Sequence, residues 1–172
     1  ITLGNLAMTY YMRRDPAGMR YALLAYDAGQ ELGDDYSIFT GAMVCAYMYY
    51  LEKDYPRALS YLDEIITMVG SYGVETEVYS LYADLLHDMG EDPRAEEYYR
   101  RALEYIDQGQ VASTIMAYLS YGSFLIDKGS YSRAIPLLKR GIELSVTNDN
   151  SVYRYRLYEN LSDALYLSGD KD

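Results

Sequence analysis

Hydrophobic and polar positions along the chain follow the period of an amphipathic helix. One apolar stripe contains Tyr79, Tyr82, Ala83 and Leu86, and the spacing i, i+3, i+4, i+7 places them on one face of a helix. Similar stripes recur along the chain and are separated by short stretches rich in turn-forming residues. The pattern predicts nine helices, at residues 1–13, 16–32, 36–52, 55–69, 74–89, 92–107, 111–128, 131–146 and 151–168.

The turn between two predicted helices recurs at nearly constant intervals. Residues 53–58 align with residues 90–95 and with residues 129–134. The turn anchors lie 39, 37, 39 and 40 residues apart at Arg14, Lys53, Gly90, Gly129 and Gly169. Because such a period is the mark of a repeat architecture, each repeat is predicted to be a helix, a tight turn and a second helix.

The aromatic and small residues inside the repeat carry a family resemblance. The third repeat places them at Tyr79, Tyr82, Ala83, Leu86, Ala95 and Tyr99. This order resembles the tetratricopeptide repeat, whose pattern is W-x2-L-G-x2-Y followed by A-x3-F. The resemblance implies an all-α fold, a right-handed superhelical solenoid of antiparallel helix pairs with about 4.5 repeats. The family's closing proline is absent, and the longer units are similar to repeats attached to bacterial signalling and transcription regulators.

The repeats predict a single array with no second domain. Its units span residues 1–35, 36–73, 74–110, 111–150 and 151–172, and the last unit contains only its first helix. We expect the chain to be a piece excised from a longer protein, in which further repeats cover that last helix. An uncovered last helix would otherwise expose apolar residues, and the alternative is a homodimer formed through it.

Charge and rare residues exclude several classes of function. Asp and Glu number 26 against 15 Lys and Arg, a net charge of −11, which disfavours direct binding to nucleic acid. No stretch approaches the ~20 apolar residues of a membrane span, so no membrane insertion is expected. One cysteine, Cys45, and one histidine, His87, favour neither a metal site nor a cofactor. A cytoplasmic location is expected, or a periplasmic one if the parent protein has a signal peptide or membrane anchor.

The face of each first helix opposite its core stripe is predicted to line a concave groove for a partner. Its first half is rich in methionine and tyrosine, an adaptable apolar surface, and its second half is acidic. The predicted groove residues are Met8, Tyr11, Met43, Tyr47, Tyr50, Ser80, Asp84, His87, Asp88, Ser123, Asp127, Glu159 and Asp163. Such a groove would bind a peptide or helical segment through apolar side chains and through lysine or arginine.

Alternatives remain open at this stage. The Met and Tyr stripe could be packing between repeats, and the acidic side chains could simply face solvent. Asp84, His87, Asp88 and Asp127 could also form a cluster for metal binding or acid–base chemistry, although no nucleophile or phosphate loop accompanies them. We therefore predict a non-enzymatic protein–protein interaction module, by resemblance the sensor or scaffold part of a bacterial regulator. The alternative is a purely architectural array for self-association or for spacing neighbouring domains.

Overall fold

The computed structural model describes residues 2–13, 15–107 and 110–169, and of residues 11 and 12 the backbone alone. Within these ranges the chain is all-helical, which confirms the predicted fold class at that level. The helices are α1 Leu3–Met12, α2 Ala17–Leu32, α3 Asp35–Leu51, α4 Tyr55–Ile65, α5 Glu75–Asp88, α6 Asp92–Glu104, α7 Val111–Asp127, α8 Tyr131–Thr147 and α9 Arg154–Ser168.

The turn anchors of the repeats share one backbone conformation. Lys53, Gly90, Gly129 and Gly169 all have positive φ, at 61°, 83°, 67° and 80°. A residue in this left-handed conformation ends a helix, and glycine adopts it without steric cost. The remaining anchor, Arg14, lies outside the described residues. The recurrence of one helix-ending conformation explains why these positions align in the sequence.

Helix α4 is shorter than its pattern predicts. It ends at Ile65 instead of residue 69, and a short 3₁₀ helix, Val69–Ser71, follows it. Ile65 and Val69 are both buried. The tighter 3₁₀ turn keeps Val69 in the core, and Gly73, two residues after it, has a φ of 65°.

The chain divides into two compact units, Ile1–Tyr72 and Gly73–Asp172. In the first unit α2 packs against α1 and α3, and α4 packs against α3. In the second unit α6 packs against α5, while α8 packs against α7 and α9. Neighbouring helices are thus packed in each unit, and one continuous superhelical array over both units stays a prediction.

Glycine brings α2 and α3 into backbone contact in the first unit. A Cβ atom added to Gly41 would lie 2.6 Å from the backbone nitrogen of Tyr26, and one added to Gly29 would lie 2.6 Å from that of Ile38. Cys45 is fully buried in the same region, and burial raises the pKa of its thiol to about 12. The thiol is therefore protonated and packs as a small apolar side chain.

Leucine side chains fill the corresponding approaches in the second unit. Leu138 of α8 lies against Gly122 of α7, and Leu157 of α9 lies against Gly141 of α8. Both leucines are fully buried. These contacts set α7, α8 and α9 beside one another and thereby position the polar side chains that these helices carry.

Candidate partner-binding site

Hydrogen bonds connect the first helices of successive repeats in the second unit. Ser120 of α7 donates to Asp84 of α5 at 3.2 Å, and Asn160 of α9 donates to Ser123 of α7 at 2.5 Å. The partners are 36 and 37 residues apart in sequence, close to one repeat. Helices α5, α7 and α9 therefore lie side by side, with the polar faces of the predicted groove in contact.

Asp84 joins three helices. One carboxylate oxygen accepts a hydrogen bond from the Tyr99 hydroxyl of α6 at 2.6 Å, and the other accepts from Ser120 of α7. Burial raises the pKa of Asp84 to about 6, although the two donors, Tyr99 and Ser120, oppose this shift. Both oxygens are thus engaged within the protein, so Asp84 supports the site rather than offering it a free carboxylate.

His87 lies between two carboxylates at the end of α5. Its Nδ1 is 2.8 Å from Asp92 of α6, and its Nε2 is 3.4 Å from Asp127 of α7. The ring also packs edge-on against Phe124 at 5.1 Å. Lys128 bonds the second oxygen of Asp92 and holds the pKa of that carboxyl below its usual value. The histidine is therefore a link between helices, with both ring nitrogens occupied.

Three exposed aspartates form a row beside these hydrogen bonds. Asp88 lies one helical turn after Asp84, Asp127 one turn after Ser123, and Asp163 one turn after Asn160. We call these three aspartates the acidic row. Asp88 and Asp163 make no ion pair with any described residue, and Asp127 is 63% exposed, with the Nε2 atom of His87 3.4 Å away. Glu159, also exposed, lies one turn before Asp163. The row is a line of negative charge across α5, α7 and α9.

Positive charge in the second unit is largely neutralised on the second helices. Arg133 of α8 bonds Glu96 of α6 at 2.7 Å and holds the pKa of that carboxyl below its usual value. Three further arginines of α6 and α8 have acidic partners, in the pairs Arg94–Glu91, Arg100–Glu96 and Arg140–Glu143. Among the described residues, no arginine or lysine forms an ion pair with the aspartates of the acidic row.

Metal binding and acid–base chemistry are the two alternatives that the sequence leaves open for the cluster of Asp84, His87, Asp88 and Asp127. Within the described part of the chain, no group of three His, Cys, Asp or Glu side chains is placed to hold a metal. Asp84 and His87 are near neighbours along α5, but each is bonded to other residues, Asp84 to Tyr99 and His87 to Asp92.

The predicted groove residues of the first unit are mostly packing residues. Met43 and Tyr47 are buried, because the segment of α3 from Gly41 to Tyr47 is buried on every side. Met8 is half-buried against the cluster that contains Cys45. Tyr50 is half-buried beside the ring of Tyr55 at 6.1 Å. The side chain of Tyr11 lies outside those described.

Ser80 is another predicted groove residue that the structure buries. It is fully inaccessible, and its hydroxyl donates to the carbonyl of Thr76 at 2.7 Å. The sequence reasoning also missed Ser120 and Asn160, whose side chains join the first helices. A signal was present, since each lies close to one repeat period from an acceptor in the preceding first helix.

Comparisons with known proteins give no assignment. No protein-family model matches the chain, and no curated protein matches it either. None of the helices in the described ranges is both long and apolar enough to cross a bilayer. Function is therefore inferred from the residues of the chain itself.

Proposed function

We propose that the second unit binds a basic segment of a partner protein on the acidic row. The observation that carries the proposal is the placement of Asp88, Asp127 and Asp163 on three adjacent helices that hydrogen bonds hold together. A row of carboxylates on rigid helices attracts lysine and arginine and fixes the register of a bound segment.

Apolar side chains beside the row favour a partner that is both basic and apolar. Ile126 of α7, next to Asp127, is half-buried and so remains within reach of a ligand; Met116, also half-buried, lies three helical turns earlier on the same helix. A peptide or short helix could place apolar residues on them and its cations on the carboxylates. The predicted binding of an apolar and basic partner is thereby retained, with the second unit as the site.

The repeat spacing supports a tetratricopeptide-like architecture for this module. Helix, turn and helix recur, and hydrogen bonds join positions 36 and 37 residues apart. We propose, on the resemblance, that the module is the sensor or scaffold part of a cytoplasmic or periplasmic bacterial regulator and is not an enzyme. Because fold alone does not imply function, binding of a basic peptide has to be measured directly.

The test is a selection of peptides from a random displayed library on the immobilised protein. Wild-type protein is expected to enrich peptides that carry clustered lysine and arginine beside apolar residues. The variant Asp88→Lys with Asp127→Lys should bind the selected peptides at least about tenfold more weakly, because attraction becomes repulsion. Raising the salt from about 50 to 300 mM should also weaken binding to the wild type, because screening acts on exposed charges.

The matched control is Glu97→Lys with Glu104→Lys. These two glutamates are exposed on α6, and their reversal changes the net charge by the same amount. The control should bind the selected peptides within about twofold of the wild-type affinity, because it shares only the change in net charge with the test variant. Equal losses in the two variants would show that net charge alone governs binding and would remove the acidic row as a site.

A second candidate function is self-association or spacing, and exposed apolar residues on α9 favour it. Tyr155 and Tyr166 are 74% and 76% exposed, and Leu167 is 50% exposed. A patch of this kind commonly marks a contact with another protein. In this case α9 would be the contact surface of a homodimer or of a neighbouring domain.

A further inference from the structure

A second apolar surface lies on the other unit, on helix α2. Leu24 is 44% exposed, although most of the large apolar side chains in this unit are buried or half-buried. Beside it is a shallow depression of about 470 Å³, lined by Pro16, Met19, Arg20, Leu23, Leu24 and Asp27. All six lining residues belong to α2 or to the residue before it, so the surface is the outer face of a single helix.

The base of the depression is fixed by the core. Met19 and Leu23 pack with their inner sides against the buried cluster of Ala7, Ala22 and Cys45. Gly29 and Gly41 hold α2 against α3 on the opposite side. The outer face of α2 is therefore held in place by the core beneath it, and Leu24 lies exposed at the shallow depression.

Charges on this face are arranged for pairing with an antiparallel copy of the same helix. Arg20 and Asp27 lie two helical turns apart on either side of Leu24, and both are exposed. Neither makes an ion pair with any described residue. An antiparallel copy of α2 would place its Asp27 opposite Arg20 and its Arg20 opposite Asp27, which gives two ion pairs related by a two-fold axis.

The apolar residues match in the same alignment. Leu23 and Leu24 fall at the centre, so Leu24 of each copy meets the hollow formed by Arg20, Leu23, Leu24 and Asp27 of the other. A side chain inserted among four residues of a facing helix is the packing unit of paired helices. We propose that α2 forms the interface of a homodimer, in which two α2 helices pack antiparallel around a two-fold axis.

Pairing of α9 with its own copy is less favourable. Arg156 and Asp163 of α9 could form equivalent ion pairs, but Glu159 lies midway between them. An antiparallel α9 pair would therefore bring two Glu159 carboxylates together at the axis, where the α2 pair brings leucines together. Like charges at the centre of an interface oppose association.

Charge-swap variants test the pairing by sedimentation equilibrium at physiological salt, from about 1 to 200 µM protein. Wild-type protein is expected to dimerise in the micromolar range, because a single helix pair buries less surface than a standard interface. Arg20→Glu alone or Asp27→Lys alone should weaken the dimer about tenfold or more, since each places like charges at both ends of the interface. Leu24→Glu should abolish the dimer.

Mixing the two single variants is the decisive measurement. In an antiparallel α2 pair, the glutamate introduced by Arg20→Glu in one chain faces the lysine introduced by Asp27→Lys in the other. The unchanged Asp27 of the first chain then faces the unchanged Arg20 of the second. The mixture should therefore dimerise as well as the wild type, although each component alone dimerises weakly. Unchanged far-UV circular dichroism and urea midpoints verify that the exposed substitutions leave the fold intact.

Three results would overturn the proposal. Wild-type protein that stays monomeric at about 200 µM shows that α2 is not a dimer interface. A dimer that survives Leu24→Glu places the contact elsewhere, with α9 as the next surface to vary. Weak dimers in the single variants without recovery in the mixture would indicate that α2 meets a different surface of the second copy. These variants leave the acidic row unchanged, so the peptide-binding test stands independently.

Discussion

In the first unit α2 and α3 meet through backbone at Gly41, whereas in the second unit leucine side chains lie against Gly122 and Gly141, and carboxylates, hydroxyls and a guanidinium add hydrogen bonds between helices. Aromatic rings pack against each other in both units. In the first unit Gly41 allows α3 to touch the backbone of α2, and Tyr49 stacks on Tyr61 at 5.8 Å. Polar links are added where Tyr26 donates to one oxygen of Glu64 at 2.6 Å and Gln30 donates to the other at 2.6 Å. The contact between α2 and α3 at Gly41 itself involves no titratable group.

In the second unit hydrogen bonds add polar links between helices, and two of them follow the repeat spacing of the sequence. Asp84 holds α5 to α6 and α7, and Arg133 joins Glu96 to the hydroxyl of Tyr121 at 2.8 Å. Polar networks fix the partners of each side chain, and they also make the unit sensitive to pH. The same helix–turn–helix plan can thus be stabilised in two physically different ways, and mutations distinguish them.

The largest expected effect is that of Gly41→Ala in the first unit. The new Cβ atom would lie 2.6 Å from the backbone nitrogen of Tyr26 and 2.9 Å from the carbonyl of Ala22, so α2 and α3 would have to separate. We expect a loss of about 2–3 kcal/mol in the free energy of unfolding, measured by urea denaturation followed by circular dichroism.

Gly122→Ala in the second unit is the matched comparison. Its Cβ atom would meet the side chain of Leu138 at 2.6 Å instead of a backbone. A leucine side chain can change rotamer, so a loss of about 1 kcal/mol or less is expected. Equal losses in the two variants would contradict the view that backbone contact is particular to the first unit.

The helices could be predicted from the sequence, but the exposure of their faces could not. The period of apolar residues and the recurring turns located every helix within the described residues, because both signals are local. Met43 and Tyr47 were misplaced, since α3 is apolar on all sides and its pattern does not distinguish one face from another. Ser80 was misplaced because a serine that bonds its own helix can be buried without cost.

The second expected effect concerns Asp84 and pH. Its pKa is raised to about 6 in the folded protein, so the folded state holds the proton more tightly than the unfolded state. Stability from this group is fully present below the unfolded pKa near 4 and is lost as pH rises through about 6. The loss amounts to at most about 3 kcal/mol.

Asp84→Asn should remove this pH dependence. The variant is expected to be more stable than wild type by about 1–2 kcal/mol at about pH 7.5, and the difference should shrink towards about pH 5. Urea midpoints at several pH values measure it. Asp163→Asn, which removes an exposed carboxylate and changes the net charge equally, should show no such trend. A parallel pH profile for wild type and Asp84→Asn would argue against a buried, proton-binding Asp84.

The smallest expected effect compares one turn in the two units. Lys53 has a φ of 61°, whereas Gly90 and Gly129 occupy the equivalent turns of the second unit. A non-glycine residue in this conformation costs about 1–2 kcal/mol of stability. Glycine avoids that cost, but its greater backbone freedom in the unfolded chain lowers stability by about 0.5–1 kcal/mol.

Lys53→Gly should therefore stabilise the first unit by about 0.5–1 kcal/mol, and Gly90→Lys should destabilise the second unit by a similar amount. Lys53 is exposed and makes no ion pair with a described residue, so little interaction is lost on its removal. Urea denaturation of both variants measures the pair of effects. A destabilising effect of Lys53→Gly would mean that contacts of the lysine side chain stabilise the fold by more than its backbone conformation costs. The turns at Lys53 and Gly90 would then differ in more than conformation.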